Sequence, residues 1–111
     1  MGKQKERNAN REELWIGLAK VEHLDNNNVL GRADRAYTNT IAMADSKMSF
    51  RSRVRDALAE LGLHLMRLED AETLKNRLSR HSVDEELTNV AEQAMKTRGV
   101  GFGTFHAFHS K

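Results

Sequence analysis

From residue 12 onward the apolar positions first alternate and later recur at helical spacing. In EELWIGLAKVEHL, Leu14, Ile16 and Leu18 fall on one face of an extended chain and Trp15, Ala19 and Val21 on the other. That two-residue period predicts a strand with both faces partly covered. DNNNVLGRADR follows, and its Asn and Gly content predicts a loop longer than a hairpin turn. AYTNTIAMA then sets Tyr37, Ile41 and Met43 against Thr38, Thr40 and Ala42, a second strand rich in β-branched residues.

The period changes in SKMSFRSRVRDALAELG. Phe50, Val54, Ala57, Leu58 and Leu61 recur as on one helix face, Ser46 or Ser49 can cap the start, and Gly62 can end the helix in the left-handed conformation. LHLMRLED predicts a short strand with Leu63 and Leu65 on one face and Met66 and Leu68 on the other, followed by an acidic, less patterned stretch to about Arg80. In SVDEELTNVAEQAMKTRG, Ser82 and Glu85 have capping-box spacing, and Leu87, Val90, Ala91, Ala94 and Met95 share a face. Glu85 and Glu86 at its start and Lys96 and Arg98 at its end suit the helix dipole. The order β-β-α-β-α-β predicts an α+β fold, a two-layer α/β sandwich with a four-stranded sheet and two helices on one face. Residues 1–11 read as a flexible arm and residues 12–111 as a single domain.

Composition narrows the class. A chain of 111 residues that is 39% hydrophobic and 31% charged has enough apolar content for one core. The net charge of +2 is mixed rather than one-signed, so nucleic acid is permitted as a partner without being demanded. The absence of cysteine excludes disulfides, thiol nucleophiles and thiolate-bound zinc, and fits a cytoplasmic location. No apolar run approaches a membrane span, no charged-then-apolar leader is evident, and Glu6 stands where a myristoylation signal wants Ser or Thr. No membrane role is expected.

The segment GVGFGTFHAFHSK carries the most suggestive local pattern. A dinucleotide loop needs a third glycine where Thr104 stands, and a helix after it. Gly101, Phe102 and Gly103 resemble the core of the first ribonucleoprotein motif of the RNA-recognition-motif family. The segment departs from that motif at Val100, Thr104 and Ala107, where it wants a basic residue and two aromatics. The reading that follows is a strand whose glycine side lets a neighbouring element, Trp15 or a helix, approach closely.

Candidate chemistry is sparse. His106 and His109 sit on opposite faces of a strand, so they cannot chelate one ion together, and no HExxH pattern occurs. Asp70 and Glu72 share a face if the third strand continues, but general acid–base work needs two groups of separated pKa in a reactive pocket. No catalytic, metal or cofactor-binding residue is assigned and no cofactor is expected. The remaining features are surfaces. The long loop, with Asn27, Asn28, Arg32 and Arg35, is the candidate partner-binding site. Lys47, Arg51 and Arg55, spaced by four on one helix flank, together with Phe102, are the candidate nucleic-acid contacts. A second basic group is formed by Lys75, Arg77, Arg80 and His81. The expected function is that of a small non-enzymatic protein-binding module acting by contact, as an immunity protein or an inhibitor does, through a protein partner or self-association. The alternative is a small RNA- or DNA-binding domain using the Arg-rich flank.

Overall fold

The computed structural model describes residues 11–23 and 35–108. Of the candidate partner-binding loop, Asn27, Asn28 and Arg32 therefore lie outside the described residues, and Arg35 opens a strand. The element order is β1 (Glu13–His23), β2 (Arg35–Ala44), α1 (Lys47–Glu60), β3 (Leu63–Thr73), α2 (Leu74–Leu78), α3 (Glu85–Thr97), β4 (Val100–Phe102) and β5 (His106–Phe108). The fold is α+β, with one open antiparallel sheet in the order β3-β1-β2-β4, where β5 also pairs with β2.

The predicted pair of helices on one face is corrected by how the strand residues pack. Side chains of β2 at Ala36, Ala42 and Ala44 join Ala19 and Val21 of β1, Leu63 and Leu65 of β3, and Phe50, Val54 and Leu58 of α1 in a first core. The opposite side chains, Ile16 and Ile41, join Ala91 and Ala94 of α3, with Leu14, Leu74, Leu87 and Val90 around them. Because successive strand residues point to opposite faces, α1 and α3 cover opposite sides of the sheet. Both faces of β1 are apolar for this reason.

Local sequence accounts for the helix ends. Ser46 caps α1, its hydroxyl accepting from the Ser49 N–H at 3.0 Å. The chain leaves α1 through Gly62 at φ 79°, whose N–H donates to the Ala59 carbonyl at 2.9 Å. At α3 the cap is Asp84 rather than Ser82. Its carboxylate accepts from the Leu87 N–H at 2.9 Å, and it places a negative charge at the helix N-terminus.

Three irregularities in the edge strands set which side chains reach which face. Ile16 and Leu18 of β1 pair with Glu72 and Glu69, and Lys20 and Val21 with Arg67 and Leu65, so β3 carries an extra residue at each place. The second bulge turns Leu68 to the face of Leu65, where it packs on the first core, and corrects the predicted pairing of Leu68 with Met66. Asp70, at φ 55°, lies within the first bulge. On the other edge Thr40 pairs with Phe102 but Tyr37 pairs with His106, so four residues of the edge match three of β2. That shift keeps Phe102 with the first core and moves His106 and Phe108 to the second face, whereas unbroken alternation would put all three on one side. Bulges and short strands oppose the addition of a further strand at either edge.

The glycine side of the terminal segment does admit a close neighbour, and it is α3. A Cβ built on Gly101 would lie 2.6 Å from Cγ1 of Val90 and 3.3 Å from its carbonyl oxygen. Two buried threonines tie the same edge down, the Thr40 hydroxyl donating to the Gly101 carbonyl at 3.0 Å and the Thr38 hydroxyl lying 3.1 Å from the Gly103 carbonyl.

Candidate functional site

Among the described residues, helices cover the second face of the sheet over only part of its length. Its apolar cluster ends at Ile16 and Ile41, and α3 reaches the edge strand at Gly101 and, through a hydrogen bond from the Thr104 hydroxyl to Glu86 at 2.6 Å, just beyond it. Further along β1, Leu18, Lys20 and Glu22 lie on this face, beside Arg35, Tyr37 and Asn39 of β2. None of the apolar members, Leu18, Tyr37 or Phe108, belongs to either core. Among the described residues no helix lies over this half.

Two aromatics form its centre. Tyr37 and Phe108 stack with ring centroids 5.4 Å apart and planes at 22°, and Nζ of Lys20 lies 5.9 Å from each centroid. Charges of both signs surround them. Arg35 faces Glu22 across the strands at 3.9 Å, and Arg67 reaches Glu69 at 2.8 Å. His106, opposite Tyr37 in the register, is exposed. Sequence reasoning did not single out Tyr37, Lys20 or Phe108 as a group. Alternation assigned Tyr37 to its face correctly, but the one-residue shift before β5 that brings Phe108 beside Tyr37 leaves no local signal beyond the glycines.

The candidate nucleic-acid residues lie on two elements, α1 and β4. Lys47, Arg51 and Arg55 are exposed on α1, with Arg55 paired to Asp56 at 3.2 Å. Phe102 is half-buried against the first core, with its ring 5.9 Å from that of Phe105. Arg53 of the same helix bonds Glu12 at 2.7 Å, which also receives Arg98 at 2.8 Å.

The second basic group has a structural occupation that the sequence did not reveal. The strand predicted to stop near Asp70 runs to Thr73, and α2 folds back so that Arg77 and Arg80 both bond Glu72, joined by the Asn76 amide at 2.6 Å. Arg77 also donates to the Asp70 carbonyl at 2.9 Å, fastening the bulge. A cavity of about 910 Å³ lies here, with Asp70, Glu72, Arg77, Arg80, His81 and Asp84 in its wall. Its best-placed groups are already engaged, Glu72 by two guanidinium groups and Asp84 as the α3 cap. Among the described residues no group of three or more histidine or carboxylate side chains could hold a metal ion.

The Arg77 hydrogen bond, against a smaller opposing effect of burial and with help from Asn76 and the charges of Arg77 and Arg80, holds the Glu72 carboxyl below its ordinary value. A carboxyl with a depressed native pKa contributes stability above its unfolded-state value, near 4.3, and loses it as pH falls through the native value. Glu72→Gln is therefore expected to lower the urea midpoint at neutral pH, with the gap from wild type closing in acid. A gap that persists unchanged as the pH falls through the whole carboxylate range would assign the loss to packing instead.

Compared with protein-family models, curated proteins and solved structures, the chain matches none. Among the described residues no helix is long and apolar enough to cross a membrane.

Proposed function

We propose that this protein is a small module that acts by contact with a protein partner, in the manner of an immunity protein or inhibitor, and that the open half of the second sheet face makes the contact. The observation that carries the reading is the half-buried Tyr37–Phe108 stack under Lys20, outside both apolar clusters and flanked by Arg35 and Arg67. Aromatic and arginine side chains near the centre of a patch are the residue types that dominate protein–protein binding energy. The pairing of Arg35 with Glu22 and of Arg67 with Glu69 favours a protein over a polyanion, because each glutamate would oppose a phosphate brought to its arginine. Engagement of Glu72 and Asp84 in structural roles supports a non-enzymatic reading, and the lack of cysteine suits the cytoplasm.

Tagged full-length protein, used as bait in lysate of the native host with and without nuclease, tests this. One near-stoichiometric protein should survive nuclease treatment. Its affinity should fall roughly thirtyfold for Tyr37→Ala or Phe108→Ala, since a hot-spot aromatic carries about 2 kcal/mol. A variant with Lys47, Arg51 and Arg55 all changed to alanine should retain it. Recovery of nucleic acid that is released at higher salt and depends on those three residues would sink the reading.

A further inference from the structure

At the opposite end of the same sheet face, a groove opens beside α2 and α3. Leu14 of β1 and Met43 of β2, which pair in register, floor this groove of about 580 Å³, walled by Leu74, Leu78 and Met95. The periodicity of α3 places Met95 on its apolar face, and yet it is 52% exposed, while Leu78 is 49% exposed. Large apolar side chains left in solvent around an apolar hollow mark a docking site rather than ordinary surface. The patch therefore offers both projecting side chains, Leu78 and Met95, and a recess to receive such side chains.

The charges at its rim say what occupies it. Glu13 and Lys75 both line the groove, both are exposed, and neither makes an ion pair among the described residues, although seven such pairs occur elsewhere in them. A patch with one unpaired acid, one unpaired base, projecting apolar groups and a recess carries both halves of each contact that a two-fold rotation would make. Self-complementarity is the requirement of an isologous interface. We infer that the groove binds a second copy of this chain, with Leu78 and Met95 of each copy seated in the other's recess and Glu13 of each facing Lys75 of the other. Methionine suits this role because its flexible thioether adapts to an apposed apolar surface. Lys20 lies six residues along β1 from Leu14, roughly 20 Å at about 3.4 Å per residue, so dimerisation leaves the aromatic half of the face free. The dimer would carry two copies of that contact surface, and neither proposal depends on the other.

Sedimentation equilibrium of the full chain across micromolar to millimolar concentrations is the first measurement, and a dimer is expected. Met95→Glu should be monomeric over that range, with its melting temperature and far-ultraviolet circular dichroism showing that it has folded. Leu78→Ser, at a site equally exposed, provides a second variant should Met95→Glu fail to fold. Glu13→Lys and Lys75→Glu should each weaken dimerisation roughly tenfold, because each creates two like-charge contacts across the interface. Mixing E13K with K75E should restore a dimer made of one copy of each, since both contacts then join opposite charges. A wild-type monomer at millimolar concentration would overturn the inference. So would a dimer indifferent to Met95→Glu and Leu78→Ser, or single charge variants whose mixture does not recover.

Discussion

Gly101→Val is expected to be among the most destabilising changes in the protein, and Gly101→Ala to share the effect in smaller measure. The cause is the seat of α3 on the edge strand, where an added Cβ would lie 2.6 Å from Cγ1 of Val90. A helical valine has one strongly preferred rotamer, so Val90 cannot turn away cheaply. The helix or β4 must move instead, and overpacking of this kind costs about 1–3 kcal/mol, with valine at the upper end. Several degrees of melting temperature are lost per kcal/mol in a domain of this size. Val90→Ala removes the offending methyl, so the pair G101A/V90A should be less destabilised than its two single variants added together. Recovery should be incomplete, because the Val90 carbonyl would still lie 3.3 Å from the new Cβ. Additive losses measured by thermal denaturation would show that Gly101 is required for another reason.

The same contact shows how much of the fold could be read from the chain. Where an element is regular, one dimension of pattern sufficed. The alternation in β1 and β2 and the helical recurrence of Phe50, Val54 and Leu58 are borne out by burial, Ser46 and Gly62 bound α1 as expected, and the glycine side of the terminal segment receives a neighbour. Where one inserted residue changes the facing of everything beyond it, the pattern misled. Leu68 and Phe108 are assigned to faces by bulges set by the partner strand, and neither Met66 nor Thr104 announces a bulge by residue type. The layer assignment failed for a related reason. Apolar residues on both sides of β1 were legible, but whether two helices share a face depends on the path of the chain after β3. Along that path Arg77 and Arg80 hold Glu72, a contact spanning residues 72–80 in a stretch with no apolar period. The candidate site inherits these errors. Arginines were noticed as charges on a flank or loop, whereas the structure draws together a tyrosine, a phenylalanine and a lysine from three strands.

Phe50→Ala is the second change expected to have a large effect, and its value lies in the contrast with Phe108. Phe50 is fully buried, stacks on Trp15 with centroids 6.1 Å apart and planes at 29°, and lies against Gly17, where an added Cβ would be 3.2 Å from its ring. Removing the ring leaves a hollow between α1 and the sheet that the backbone on either side limits from collapsing, and such truncations cost about 3–5 kcal/mol. A domain has about 5–15 kcal/mol in all, so the variant should unfold at markedly lower urea or fail to fold at 37 °C. Trp15 is the only tryptophan, so its fluorescence reports this layer directly, and Phe50→Leu should preserve more of both the signal and the stability. Phe108 is half-buried and belongs to neither core, so Phe108→Ala should change the urea midpoint much less while weakening partner capture. The two aromatic residues thus separate the work of folding from that of contact. If Phe108→Ala were as destabilising as Phe50→Ala, the Tyr37–Phe108 stack would be part of the core, and the open half of the face would lose its claim as a binding surface.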